Sequence, residues 1–242
     1  MGAQSLSKPA GRRLGLVVAL AVEAKALGLP ASPMGKVHPC ADGHLAILSG
    51  MGPEAAANAG RALLEAGAEA LLSVGTAGAL RSDLQAGDLC IPRQILWQER
   101  AYSADEVLAS HFLAQHPQAR RENLLSLAQM LVDRQSKAAY AQQALAVDME
   151  SGALAALAAA EGHPFLALRV IVDSVDAVVP DAVRRGVDAV GNPRLPGFLW
   201  QLLRRPRDVP RLIRLGGQMQ RAAITLRQLG RASEKGGWGC GH

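Results

Sequence analysis

Residues 145–176, LAVDMESGALAALAAAEGHPFLALRVIVDSVD, constrain the fold more than any other stretch of the chain. Residues 144–147 and 165–172 are short apolar runs of strand length, rich in Val, Ile, Leu and Ala. Between them, 151–161 is small and apolar enough for a crossover helix. The pattern predicts a right-handed βαβ unit with parallel strands. Glu150 and Asp173 then stand where the apolar runs stop, at the strand ends where open α/β sheets bind ligands. Taken alone, either acid is equally an ordinary strand-end carboxylate facing water.

The same alternation runs through the first half of the chain. Residues 14–20 read as a first buried strand, followed by a turn or helix over 21–28 that carries Glu23. A second strand over 44–48 ends in Gly50-Met51-Gly52, and 54–66 follows as a helix closed by Gly67. A third strand over 70–74 ends in Gly75-Thr76-Ala77-Gly78, and 88–92 is a short fourth. Segments 106–115, 123–132 and 137–143 read as helical. The predicted fold class is α/β: a single domain with a central, mostly parallel or mixed sheet flanked by helices and followed by a basic amphipathic helical extension. The expected divisions are a flexible 1–13, a catalytic domain over 14–193, the extension over 194–232 and a flexible tail over 233–242.

Charge and cysteine usage narrow the setting. Arg12-Arg13 before LGLVVALA mimics a secretion signal, but the run is short and passes into Glu23, so it reads as the first strand. No run is long enough to span a membrane. Cys40, Cys90 and Cys240 are odd in number and far apart, which fits a reduced, cytoplasmic protein. Nine arginines and one acid, Asp208, lie between Arg194 and Arg231. Asp208 and Pro210 look like a helix start. Leu212, Leu215, Met219, Ala222, Leu226 and Leu229 then recur at helical spacing. The basic tail has no interleaved aromatics or recognition motif, so nucleic acid is not an expected partner.

The glycine loops offer binding chemistry without specifying it. Gly50-Met51-Gly52-Pro53-Glu54-Ala55 fits a dinucleotide fingerprint, yet the next strand ends in Val74-Gly75-Thr76 with no acid for a ribose. No nicotinamide, flavin or other cofactor is expected. No metal site is expected either, because Cys240 and His242 are too few. The candidate ligand contacts are Met51 in the first loop and Thr76, Ala77 and Gly78 in the second. Backbone amides and a threonine hydroxyl there suit a phosphate, a sugar hydroxyl or a water.

Five pieces together resemble the purine nucleoside phosphorylases and the methylthioadenosine/S-adenosylhomocysteine nucleosidases. They are LGLVVALAVEA at 14–24, SGMGPEAAANAG at 49–60, LSVGTAGALRSDLQAGDLCIP at 72–92, AVDMES at 146–151 and FLALRVIVDSVD at 165–176. The resemblance implies that Glu23 activates a water and that Glu150 holds the ribose hydroxyls with Met149 against the sugar face. It further implies that Asp173 protonates the purine at N7 and that Arg169 orients the water or its base. Thr76 stands where the family usually has serine, and the hydroxyl is kept. Phosphorylases of this family carry arginines at the positions of Ser73 and Glu23, so hydrolysis is the expected reaction. The aromatic that stacks on the purine in the nucleosidases has no counterpart in 127–131.

The extension is similar to that of the hopanoid-associated branch, which implies adenosylhopane as substrate and adenine as product. The alternatives are a nucleosidase acting on soluble methylthioadenosine or S-adenosylhomocysteine, a phosphate-dependent nucleoside phosphorylase, and a non-catalytic nucleoside- or lipid-binding protein. Phe198, Leu199, Trp200, Leu202 and Leu203, flanked by arginines, suit either peripheral membrane contact through 196–207 or an oligomer interface. The resemblance also implies a homodimer or larger homo-oligomer.

Overall fold

The computed structural model describes residues 11–40, 43–131, 133–173 and 209–234. They form a ten-stranded mixed sheet between two helical layers. Its spine is β4, Ala70–Ala79, which has a different neighbour along each part of its length. On one edge β1 (Leu14–Val18) runs parallel to its first half, from Leu14 opposite Ala70 to Val17 opposite Ser73. Beyond β1, parallel β3 (Leu45–Leu48) and antiparallel β2 (Val37–Pro39) complete that side. On the other edge β10 (Phe165–Asp173) runs parallel to β4, with a register shift between Ile171 and Asp173. Antiparallel to β10 lies β5 (Leu89–Cys90).

Where β1 stops, β9 (Ala146–Asp148) takes over the same edge of β4, but in the opposite direction, with Val147 opposite Gly78. From β9 the sheet continues through β8 (Leu124–Ser126), β6 (Gln94–Trp97) and β7 (Arg100–Ser103).

Period-two alternation sorts the side chains into two cores. Leu14, Leu16, Val18, Leu72, Val74, Leu166, Leu168 and Val170 face α1 (Ala21–Ala26), α3 (Glu106–Gln115) and α6 (Val209–Glu234). Val17, Leu71, Ala77, Ala167 and Ile171 face α2 (Pro53–Glu65) and α5 (Ser151–Glu161). The buried central strands are apolar on both faces because helices cover both. Ala222, Leu226 and Leu229 of α6 are buried while Arg221, Arg227 and Arg231 stay exposed, as the helical spacing predicts. Near its end α6 meets α1: a side chain at Gly230 would place its Cβ 2.4 Å from the Leu27 carbonyl oxygen. Thr225 of the same helix donates to the Gly87 carbonyl at 2.8 Å.

Several expectations need correction. The 145–176 unit is not a parallel βαβ, because β9 runs against β4 while β10 runs with it. The Gly75-Thr76-Ala77-Gly78 loop is no loop; β4 continues through it to Ala79, held by β10 along its length. Arg169 lies mid-strand in β10. Of the helix expected over 123–132, residues Leu124–Ser126 are instead strand β8, buried between β6 and β9. The helix expected over 137–143 is α4, Arg134–Ala138, started by Asp133, whose carboxylate accepts from Ser136 N at 2.8 Å. Strands β2, β6 and β7 have no counterpart in the expectation. Residues 178–194, the apolar 196–207 and the Asp208 cap lie outside the described residues. Among the described residues no helix is long and apolar enough to cross a membrane.

Candidate active site

The expected acids converge over the second half of β4. Glu23 sits in the first turn of α1, only 3% exposed. Its Oε2 accepts from Leu20 N at 3.1 Å, back at the helix start. Its Oε1 accepts from both the amide and the hydroxyl of Thr76, each at 2.7 Å. Burial pushes the Glu23 carboxyl above its ordinary range, against the pull of Thr76 and Arg169. The half-buried Thr76 thus positions an acid 53 residues away in the chain, a role its hydroxyl suits and serine would share.

The glycines of β4 work by clearance. A Cβ at Gly75 would lie 2.8 Å from Arg169 Nη1 and 2.9 Å from Glu23 Oε2. At Gly78 it would lie 2.9 Å from Asp173 Oδ1. Each glycine leaves room for a functional side chain rather than making a turn. Gly52 is different: its φ of 96° is a left-handed conformation, and its amide donates to Glu150 Oε1 at 2.9 Å. The dinucleotide-like glycines therefore orient a carboxylate.

Arg169 ties the centre together. It is buried, with Nε donating to Asp148 Oδ2 at 2.7 Å and Nη2 donating to Ser73 Oγ at 2.6 Å and Ser151 Oγ at 3.1 Å. Glu150 Oε2 stands 3.8 Å from Nη2. Asp148 Oδ2 also accepts from Ser151 N at 3.2 Å, at the start of α5. Burial, reinforced by the neighbouring Asp148 charge, pushes Glu150 up to about 7 despite Arg169.

On the far side, Asp173 ends β10 and is buried. Lys137 of α4, 1% exposed, places Nζ 2.5 Å from Asp173 Oδ2. Burial raises the Asp173 carboxyl above its ordinary range, outweighing the opposing Lys137 charge.

Met51, Met149 and Gly78 keep partial exposure beside these acids, as ligand-contacting residues require. Ala77 does not fit: its side chain packs in the core with Ala59 and Leu154, leaving only its main chain for any contact. Sequence reasoning missed Lys137, Asp148 and Ser151. Asp148 had a signal, two residues before Glu150 in the same AVDMES stretch. Lys137 had none, lying 36 residues from its partner in a mixed polar segment.

Among the described residues, four carboxylates thus face two cations, and each of these cations is bonded to a carboxylate. Such an arrangement favours developing positive charge. A family model, the phosphorylase superfamily, matches residues 41–192. The chain belongs to the phosphorylase superfamily. No curated protein matches it. Among solved structures it resembles a mutant Helicobacter pylori MTAN with 5′-methylthioadenosine in the active site, at 20% identity and a TM-score of 0.59, over 69% of this chain and 87% of that one. A putative 5′-methylthioadenosine/S-adenosylhomocysteine nucleosidase from Francisella philomiragia is 17% identical, with a TM-score of 0.61 over 80% and 99%. A mutant futalosine hydrolase of Helicobacter pylori is 20% identical, with a TM-score of 0.56 over 66% and 89%. At these identities the likeness is one of fold, and within this superfamily member the site must be read from its own residues.

Proposed function

We propose that this protein is a purine nucleosidase that hydrolyses the N-glycosidic bond of a 5′-substituted adenosine and releases adenine. The observation that carries the reading is the convergence of Glu23, Glu150, Arg169 and Asp173 on one half of β4, with burial raising all three acids. Cleavage leaves positive charge on the ribose and negative charge on the base. Glu150 holds the ribose hydroxyls and stabilises the sugar cation, with Met149 against its face. Glu23, fixed by Thr76 and Leu20, takes a proton from the attacking water, and Arg169 holds the carboxylates in register. Asp173 passes a proton to N7, assistance worth roughly 10²–10⁴-fold.

Water rather than phosphate as nucleophile is supported by Ser73 and Arg169. The position of the phosphorylase arginine holds a serine whose hydroxyl accepts from Arg169, and that guanidinium is bonded to Asp148. Among the described residues, a phosphate dianion would meet carboxylates and a guanidinium already bonded to one.

For the 5′ group, the resemblance of the extension supports adenosylhopane, with peripheral membrane contact through 196–207 and a homodimer closing the site. The solved neighbours support methylthioadenosine or S-adenosylhomocysteine as the second reading. A panel of adenosine derivatives scored by adenine release, with and without inorganic phosphate, tests the whole proposal. Adenine release without phosphate is the expected result, fastest from the lipid-linked nucleoside. An absolute phosphate requirement refutes hydrolysis, and preference for methylthioadenosine moves the substrate to the second reading. No release from any member, or full activity in Asp173→Asn, overturns the enzyme reading or the acid role respectively. Because α6 belongs to the core, membrane contact is tested by replacing Phe198, Leu199 and Trp200 with serine rather than by truncation. Unchanged sedimentation with anionic liposomes would remove the membrane role.

A further inference from the structure

Lys137 is among the largest fully buried side chains described, and it meets Asp173, the acid proposed above to protonate the base. A buried ammonium is strongly disfavoured unless a carboxylate meets it. Here the carboxylate is Asp173, whose Oδ2 is 2.5 Å from Nζ. Its other oxygen, Oδ1, lies over Gly78, where the missing Cβ leaves space. The segment carrying Lys137 is anchored on both sides: Asp133 starts α4, and Leu131 and Tyr140 pack against Leu80, Leu125 and Val147. A long flexible side chain is thus delivered to one carboxylate oxygen by a fixed stretch of backbone.

We propose that Lys137 is a positioning residue acting through Asp173: it aims the carboxyl with one oxygen towards the base and stores the proton that Asp173 delivers. This rests on the nucleosidase reading above. Burial raises the Asp173 carboxyl against the pull of Lys137, so the proton between them belongs to neither partner alone. The pair does hold one transferable proton, shared between amine and carboxylate. As the C1′–N9 bond breaks, its electron pair goes to the purine and the water oxygen bonds to C1′. Glu23 takes the water proton, and N7 takes the shared proton through Asp173. That leaves Glu23 neutral, Asp173 as carboxylate and Lys137 as amine. Solvent returns a proton to the pair and removes one from Glu23, closing the cycle.

The proposal separates from a purely structural role by leaving group. Full-length wild type, Lys137→Met and Lys137→Arg are compared on the best nucleoside and on a p-nitrophenyl riboside, whose phenolate departs without a proton. Both variants are expected to lose about 10²-fold in kcat on the nucleoside, with KM nearly kept, and far less on the phenyl riboside. Arginine does not rescue, because a guanidinium keeps its charge without giving up its proton. Equal losses on both substrates, or nucleoside turnover restored in Lys137→Arg, overturn the proposal. Should one variant fail to fold by thermal melt, the other carries the comparison. A wild type that releases no purine removes the nucleosidase reading and this inference with it. An active wild type with an equally active Lys137→Met removes this inference alone.

Discussion

Glu150 makes the unliganded protein less stable as pH rises, and the size of that effect follows from its surroundings. An ordinary glutamate titrates at 4.5, whereas burial and Asp148 push this one up to about 7. The folded state therefore holds a proton that the unfolded chain has lost between those values. The corresponding stability is present below pH 4.5 and is lost as pH rises through about 7. At 1.36 kcal/mol per pH unit, the full effect approaches about 3 kcal/mol. Glu150→Gln removes the titration, while its amide oxygen still accepts from the Gly52 amide. In the absence of ligand, the variant should match the wild type near pH 4.5 and exceed it increasingly up to pH 8. For a chain of this length the gap is about 6–12 °C in melting temperature. The assay is a pair of melting curves taken at half-unit pH steps. Parallel curves for the two proteins would refute the reasoning, because they would mean that Glu150 ionises in the folded state as easily as in water. On the proposed role, in which ribose hydroxyls bond to the Glu150 carboxylate, kcat/KM should fall as pH drops below about 7.

Other outcomes follow from clearance and packing. Gly78→Ala pushes a Cβ to 2.9 Å from Asp173 Oδ1. Because a displacement of about 1 Å can cost 10²-fold, turnover should drop on that order while melting temperature barely moves. Asp148→Asn removes the charge paired with buried Arg169, and chemical denaturation should show about 3–5 kcal/mol of destabilisation. In α6, alanine at Gly216 has no described atom within 4 Å and should stabilise by about 1 kcal/mol. At Gly230 it meets Leu27 backbone and should destabilise by about 1–3 kcal/mol, an opposite sign in one helix that melting curves resolve.

Much of the site was legible because its acids end or follow apolar runs. Glu23, Glu150 and Asp173 are marked by the strands before them, and Arg169 by its place within one. What escaped depends on the third dimension. Leu124–Ser126 lies in a leucine-rich segment that suits a helix, yet its neighbours β6 and β9 make it a strand. The 145–176 unit reads as a parallel crossover because periodicity carries no strand direction. Its direction was decided where β1 ends and β9 takes its place along β4, a choice made by the whole sheet. Lys137 looks solvated in any local window, and its pairing with Asp173 helps to make its burial affordable. Glycine in β4 signalled a loop, whereas the structure uses it as space for side chains from α1 and β10.

The contact between Gly230 and Leu27 has a consequence for synthesis on the ribosome. Helix α1 has six residues, too few to hold its shape alone, and α6 packs against it. The glutamate at position 23 is made long before the helix that braces its own. Translation at about 5–20 residues per second separates the two by tens of seconds. A nascent chain stalled short of residue 230 carries the four described carboxylates without the brace on the first of them. Arrival of α6, rather than appearance of the described acids, is what braces the turn carrying Glu23.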